Sequence, residues 1–128
     1  MLEQEISIHL KLKHENVVEC FDAIKTKTNY FLILEFCPHG SLNDLIQRKK
    51  KIGLTEACQI MEQVASGYKY LITNNIVHRD IKPDNILKHE NTWKIADFGF
   101  AVRNSSSFTS YLNVGTPLYM PLEALVRN

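Results

Sequence analysis

The stretches HRDIKPDN at residues 78–85 and DFG at residues 97–99 decide how this 128-residue chain folds. The first stretch combines acidic, amide and basic side chains within eight residues. Between the two stretches, residues 86–87 and 93–95 predict short strands around a turn at residues 88–92. The chemically active residues therefore flank a small predicted pair of strands.

The chain before this hairpin predicts a helix beside two strands. Apolar residues at helical spacing, separated by charged ones, predict a helix over residues 2–12. Residues 17–21 predict a short strand, and residues 30–36 predict a buried strand rich in aromatic and branched side chains. The polar residues 25–29 predict the loop that joins the two strands.

Two further helices are predicted between residue 40 and the first stretch. Pro38 and Gly40 mark a turn, after which Ser41 predicts the N-cap of a helix over residues 42–50. A longer helix follows, with Thr55 as its predicted N-cap. Its predicted apolar stripe consists of Ile60, Val64, Tyr68 and Leu71. Residues 100–116 predict a mobile loop, and the element order predicts an α+β fold.

Composition excludes several classes of function. The chain is 45% hydrophobic and 23% charged, as soluble globular proteins are, and its net charge of +1 indicates neither nucleic-acid binding nor attraction to a membrane surface. The longest apolar run, residues 30–34, is too short for membrane insertion. The three cysteines show no metal-binding or redox spacing, which predicts reduced thiols in the cytoplasm, with the nucleus as the alternative.

The two stretches match the catalytic loop and the metal-binding triplet of protein kinases. Lys82, two residues after Asp80, is similar to the loop of eukaryotic-type serine/threonine kinases, and DFGFA at residues 97–101 weakly resembles the Unc-51-like kinases. The resemblance implies an incomplete two-lobe kinase fold. Residues 1–36 would form part of the N-lobe sheet with helix C, residues 37–40 the hinge, and residues 41–128 the upper part of the helical C-lobe.

This resemblance implies ATP-dependent phosphoryl transfer to serine or threonine hydroxyls of protein substrates, with Mg²⁺. Phosphoryl transfer needs positioning and charge neutralisation more than covalent help, and Mg²⁺ prefers oxygen ligands. Asp80 would therefore accept the proton of the substrate hydroxyl, and Lys82 would offset charge on the transferred group. Asn85 and Asp97 would hold the metal against the nucleotide phosphates.

The same resemblance assigns residues to the nucleotide. Glu5 aligns with the helix-C glutamate, and Leu34 falls at the gatekeeper position. The hinge would bind adenine through backbone groups in the segment from Glu35 to Cys37. Leu87 would lie beneath the adenine ring.

Residues around the catalytic loop also predict regulation. In kinases of this type, an arginine in the place of Arg79 pairs with a phosphate on the activation loop. Leu112 occupies the usual position of the phosphorylated threonine, so Thr109 or Ser110 is expected to substitute for it. Thr116 would bridge the catalytic aspartate and lysine.

Parts of the kinase pattern are not found within these 128 residues, and other functions are left open. The glycine-rich loop and the third-strand lysine would precede Glu5, and residues 121–123 read PLE where the family has APE. We therefore expect poor solubility and negligible turnover of the isolated chain. The alternative is a non-catalytic, kinase-like interaction module. An unrelated metal-binding protein using Asp80 and Asp97 would not explain Arg79 or Lys82, and the sequence leaves the oligomeric state open.

Overall fold

A computed structural model describes residues 2–104 and 114–125, without the side chains of residues 2–5 and 123. In chain order the elements are α1 (Leu2–His9), β1 (Cys20–Lys25), β2 (Tyr30–Leu34), α2 (Leu42–Lys49), α3 (Leu54–Thr73), β3 (Ile76–Val77), β4 (Ile86–His89), β5 (Thr92–Ile95), β6 (Val102–Arg103) and α4 (Leu122–Leu125). Single 3-10 turns lie at Pro83–Asn85 and Pro117–Tyr119. These elements confirm the predicted α+β class.

The described strands form three antiparallel pairs. In the pair β1–β2, Lys25 lies opposite Tyr30, and an irregularity in register follows Cys20. In the pair β4–β5, Ile86 lies opposite Ile95, which confirms the small hairpin predicted between the two stretches. Each of its strands is longer than predicted, because the pairing continues to the residues that flank the turn.

The pair β3–β6 was missed from the sequence. Ile76 lies opposite Arg103, and Val77 lies opposite Val102. Part of the segment predicted to be a mobile loop is therefore a strand. Strands of two residues are too short to show any periodicity, so their partners and not their composition define them.

One buried core joins the helices to the hairpin. Its buried residues are Ile8, Leu12, Val17, Leu45, Ile60, Val64, Leu71, Ile76, Ile86, Trp93, Ile95, Phe98 and Ala101. The stripe predicted on α3 is confirmed at Ile60, Val64 and Leu71, but Tyr68 is 41% exposed and Gly67 is buried in its place. The stripe passes through Gly67 because the chain around Asn16 approaches α3 there.

Gly67→Ala is expected to destabilise the chain by about 1–3 kcal/mol, although alanine is the better helix former. A Cβ at this position would lie 2.5 Å from the backbone oxygen of Asn16, which is buried in the core. Urea unfolding followed by circular dichroism measures the change. Ser66→Ala, on the exposed face of the same turn, is the control and should leave stability unchanged or slightly raised. Equal effects of the two substitutions would contradict the close approach.

Two predicted boundaries at the start of the chain were wrong. The first helix ends at His9, because the chain beyond it closes tighter turns, with Leu12 N–H bonded to His9 O at 3.1 Å. The first strand begins at Cys20, because Val18 bonds to Ile95 O at 2.9 Å instead of pairing with β2.

The capping rules predict the first residue of α2 correctly but not that of α3. Ser41 caps α2 as predicted, and its side chain and that of Asp44 each accept a hydrogen bond from the other's backbone N–H. The N-cap of α3 is Gly53, not Thr55, and no side chain caps it. The helix therefore begins at Leu54, before the hydroxyl that the capping rule favours.

The prediction of a buried strand at residues 30–36 was also wrong. The strand ends at Leu34, and its apolar residues Phe31 to Leu34 are 42–56% exposed. Strand β2 pairs only with β1 among the described residues, and that sheet leaves its apolar side chains accessible. Composition alone could not show that β2 is exposed. Apolar residues indicate that a strand can be buried, but not whether another part of the chain packs against it.

The loop that follows α1 is fastened to both α3 and β5. The backbone N–H of Lys13 donates to the Tyr70 hydroxyl at 2.9 Å, and the His14 ring stacks on the Tyr70 ring with centroids 4.8 Å apart. The Asn16 side chain donates to Trp93 O at 3.0 Å. This loop therefore fixes the end of α1 relative to the helical part of the chain.

Within the described ranges, no helix is both long enough and apolar enough to cross a membrane.

Candidate active site

The Asp80 carboxylate lies at the centre of the first stretch and is 2% exposed. Its Oδ1 atom accepts hydrogen bonds from the Thr116 N–H and hydroxyl, both at 2.8 Å. Its Oδ2 atom contacts Lys82 Nζ at 2.8 Å and accepts from Asn85 Nδ2 at 3.1 Å. Burial alone would raise the pKa of Asp80, but Lys82 and Thr116 outweigh it, so that pKa is lowered and the group is ionised at neutral pH.

Thr116 lies between the predicted catalytic aspartate and lysine. Its hydroxyl donates to Asp80 and accepts a hydrogen bond from Lys82 Nζ at 2.7 Å. The contact with Asp80 also raises the pKa of Lys82, so the ammonium stays charged. The structure thus brings Asp80, Lys82 and Thr116 together, although Thr116 lies 36 residues after Asp80 in the sequence.

Asn85 is fixed by the 3-10 turn that Pro83 begins. Its Nδ2 atom donates to Asp80 O at 2.9 Å as well as to the Asp80 carboxylate. These two bonds orient the amide and leave its Oδ1 oxygen without a donor among residues 2–104 and 114–125. The backbone of Asn85 also accepts from Ala96 N–H at 2.8 Å, which ties it to the residue before Asp97.

Asp97 lies at the end of the segment that leaves β5. Asp97 is exposed, and its Oδ1 atom accepts a hydrogen bond from Gly99 N–H at 3.2 Å. Asp97 and Asn85 therefore offer oxygen atoms from neighbouring segments. The described part of the chain holds no cluster of three or more His, Cys, Asp or Glu residues suited to a metal. An amide and a carboxylate fit Mg²⁺, which uses few protein ligands and completes its shell with water and phosphate.

Two histidine rings flank Phe98 of the triplet. The His78 ring lies 5.0 Å from the Phe98 ring, and the His9 ring lies 4.5 Å from it. His78 Nδ1 accepts from Asp80 N–H, so the proton is assigned to Nε2, which donates to Ala96 O at 3.0 Å. Burial lowers the pKa of both histidines. Neutral rings therefore anchor the triplet to α1 and to the first stretch.

Two residues of these stretches have a left-handed backbone. Arg79 has φ 70° and Asp97 has φ 63°. Such values are uncommon without glycine, and they concentrate at functional sites. Arg79 Nε also donates to Phe100 O at 2.6 Å, so its guanidinium links the first stretch to the residue that follows the second. Thr109 and Ser110, the predicted phosphorylation sites, lie outside the described residues.

The predicted hinge has the backbone groups that a purine needs. Glu35 N–H is already bonded to Glu19 O at 2.8 Å, which continues the pairing of the strands. Among the described residues, nothing bonds to Glu35 O or to Cys37 N–H. One acceptor and one donor therefore remain at the segment that was predicted to bind adenine.

The remaining nucleotide residues occupy separate places. Leu34 ends β2 and is 42% exposed, and Leu87 is half-buried in β4, bridged to Ser41. Glu5 lies in α1, but its side chain is outside the described part of the chain. Half-burial raises the pKa of the Cys37 thiol, with a further contribution from Glu35, so this cysteine is a thiol at neutral pH.

Sequence reasoning missed the ion pair between Lys94 and Glu35, whose Nζ and Oε1 atoms are 2.9 Å apart. Lys94 stands between the buried apolar residues Trp93 and Ile95 of β5. A charged side chain at such a place is almost never fully buried without a partner. That signal indicated a partner but could not identify Glu35, which lies 59 residues earlier.

Comparison with known proteins gives the same family throughout. The protein kinase domain family matches residues 1–128. The chain is 36% identical over 127 residues to the cell cycle serine/threonine-protein kinase CDC5/MSD2 of Saccharomyces cerevisiae, covering 98% of this chain and 18% of that protein. It is 40% identical over 121 residues to an Aurora kinase of Yarrowia lipolytica, covering 94% and 32%.

A third relative, the serine/threonine-protein kinase ATG1c of Arabidopsis thaliana, is 38% identical over 128 residues, covering 97% of this chain and 18% of that protein. The chain thus spans less than a third of the length of these relatives. Their different names and similar identities favour no one subfamily. The match over the whole chain, together with the two motifs, shows that this chain belongs to the protein kinase domain family and is part of a serine/threonine kinase domain.

Proposed function

We propose that this chain carries the catalytic and metal-binding part of an ATP-dependent protein serine/threonine kinase. In this proposal residues 1–36 belong to the N-lobe, residues 37–40 form the hinge, and residues 41–128 belong to the C-lobe. The observation that carries it is the buried Asp80 carboxylate, held in one orientation by Lys82, Asn85 and Thr116. A carboxylate so fully oriented is costly to bury, and a non-catalytic module has no chemical need of it.

The chemistry follows from the state of these groups. Asp80 is ionised at neutral pH, so it can accept a hydrogen bond, and then the proton, from a serine or threonine hydroxyl of a protein substrate. Lys82 is charged and offsets negative charge that develops on the transferred phosphoryl group. Thr116 would position both groups, because its hydroxyl hydrogen-bonds to the Asp80 carboxylate and to the Lys82 ammonium.

ATP and Mg²⁺ would bind to groups that the hydrogen bonds around Asp80 leave available. Asn85 Oδ1 and the Asp97 carboxylate would hold Mg²⁺, which supplies charge neutralisation of the phosphates. The purine would bind the backbone between Glu35 and Cys37, over Leu87.

Three further assignments rest on the family resemblance. Leu34 would border the purine, and Glu5 would serve the phosphate side of the site. Arg79 would bind a phosphate on Thr109 or Ser110. The described cysteines are free thiols, which suits the cytoplasm or the nucleus.

Titration of the purified chain with ATP and Mg²⁺ by calorimetry tests the proposal. We expect Asp97→Ala to weaken Mg²⁺-dependent ATP binding by more than about 10-fold, because it removes the carboxylate proposed to hold the metal. Asp22→Ala removes an exposed carboxylate from β1 and serves as the control. Circular dichroism establishes that each variant is folded.

Binding by the parent chain that Asp97→Ala leaves intact would contradict the metal site. A folded chain that binds no nucleotide would instead favour the interaction module. The exposed aromatic side chains Phe21 and Phe31 on the sheet β1–β2 would then supply its contact surface.

A further inference from the structure

A charged cluster lies beside the hinge and takes no part in the chemistry proposed above. The Glu35 carboxylate contacts Lys94 Nζ at 2.9 Å and His89 Nδ1 at 3.2 Å, and it accepts from Glu19 N–H at 3.2 Å. These partners come from β5, from β4 and from the residue before β1. The Glu35 and Lys94 side chains are 16% and 11% exposed, so water screens their attraction less than at the surface.

The purine-binding segment itself has few backbone restraints. Glu35 N–H bonds to Glu19 O at 2.8 Å, and His39 N–H bonds to Lys88 O at 3.2 Å. Between these two bonds, the backbone N–H groups of Phe36 and Cys37 have no partner among the described residues, and Phe36 is 80% exposed. The side chain of Glu35 is therefore the main link that holds the start of this segment against the hairpin.

Lys94 connects that link to the metal end of the site. It lies in β5, three residues before Asp97, and it pairs with Leu87 across the hairpin, so the two side chains project from the same face. The backbone beyond it is fixed, since Ile95 N–H donates to Asn16 O at 2.9 Å and Ala96 N–H donates to Asn85 O at 2.8 Å. One side chain thus joins the strand that leads to Asp97 to the segment that would bind the purine.

We propose that Lys94 is a positioning residue for nucleotide binding, which holds the purine-binding segment at a fixed distance from Asp97 through its ion pair with Glu35. This inference rests on the proposed function. A nucleotide that contacts both ends of the site binds well only if the span between them is set in advance, because ordering a loose segment on binding costs affinity. The lowered pKa of Glu35 is consistent with a carboxylate that stays ionised: burial raises that pKa, but the hydrogen bond from Lys94 and the other contacts outweigh it.

Variants can separate positioning from stability. Lys94→Met removes the ammonium that pairs with the half-buried Glu35 carboxylate and leaves it only the contacts with His89 and the Glu19 N–H, so it is expected to destabilise the chain. The double variant Glu35→Gln/Lys94→Met removes both charges, and replacing a whole buried ion pair is often neutral for stability. We therefore expect the double variant to remain folded, with a Tm close to that of the parent chain, and yet to bind adenosine and Mg·ATP about 10–100-fold more weakly.

Two controls accompany these variants. Lys94→Arg keeps the charge and should restore affinity to within about 3-fold of the parent, since arginine also pairs with carboxylates. Lys88→Met makes the same change on the same hairpin, where the Lys88 ammonium lies 5.5 Å from the Trp93 ring centroid and not on Glu35. It should leave nucleotide affinity unchanged.

Calorimetry with adenosine and with Mg·ATP gives distinct outcomes. A folded double variant that binds both ligands as tightly as the parent would overturn the positioning role. If the double variant does not fold, the proposal is overturned in the same way by a folded Glu35→Gln variant with parental affinity. If the parent chain binds neither ligand, the proposed function fails first. Binding that depends on Asp97 but not on Lys94 rejects this inference alone.

Discussion

Asp80→Asn is expected to lower kcat for phosphoryl transfer by about 10²–10⁴-fold in a form of the protein that phosphorylates a test substrate. Asparagine has nearly the same shape, so its single oxygen can still accept the two bonds from Thr116, while its amide nitrogen takes the place of the oxygen that Asn85 and Lys82 contact. It cannot accept the substrate proton, and it removes the negative charge that Lys82 pairs with. The loss should appear in kcat, with ATP affinity within a few-fold of the parent.

The matched control for this substitution lies in the same loop. Asp84→Asn makes the same chemical change at an exposed carboxylate, which bonds only to Asn43 among the described residues, at 3.0 Å. It should leave kcat within about 3-fold of the parent, as expected for the loss of a surface interaction. Steady-state kinetics at saturating ATP measures both variants. An Asp80→Asn enzyme that kept a tenth or more of the parental kcat would remove Asp80 from the mechanism.

Gly115→Ala is the second substitution with a large expected effect, about 10²-fold in kcat/KM, because it displaces the residue that orients Asp80. Gly115 has φ 114°, which side chains rarely adopt, and a Cβ there would lie 2.5 Å from Arg79 O. The neighbouring Thr116 would shift with it and lose its two bonds to the carboxylate. The loss of activity should exceed the loss of stability.

Gly53→Ala is the control for this change, since the added Cβ would meet nothing within 4 Å at the N-cap of α3. Kinetics and thermal unfolding of the two variants distinguish a local displacement from general destabilisation. If Gly115→Ala and Gly53→Ala had the same activity, the close approach of the segment around Thr116 to the first stretch would not matter for function.

The features predicted correctly from the sequence are those for which local structure or chemistry requires particular residue types. Ser41 and Asp44 form a capping box that the residue types alone can suggest, and the hairpin around residues 86–95 follows from strand composition. The first stretch, residues 78–85, could be found because its acidic, amide and basic residues are close in sequence. The position of Thr116, 36 residues after Asp80, could be expected only from the resemblance to kinases.

Tertiary contacts explain what the sequence could not show. Val18 bonds to Ile95 and not to β2, so a segment with strand composition that was predicted as part of the first strand lies outside β1. Lys94 and Glu35 meet because the hairpin β4–β5 packs against the segment that follows β2, and no local pattern contains that contact. Glycine is needed at position 67 because the backbone of Asn16, 51 residues earlier, approaches α3 there. Hydrophobic periodicity along α3 does not reveal such a contact.

The fastening of the loop after α1 has a mechanical consequence. With Lys13, His14 and Asn16 held by α3 and β5, the carboxyl end of α1 is its fastened end, so a rotation of the helix would turn about that end. Eight helical residues make an arm of about 12 Å, so a rotation of about 10° moves the free end by about 2 Å. His9, beside the fastened end, would hardly leave Phe98, while Glu5 would travel further. Small rotations of α1 can thus adjust its amino-terminal half without releasing the triplet that holds Asp97.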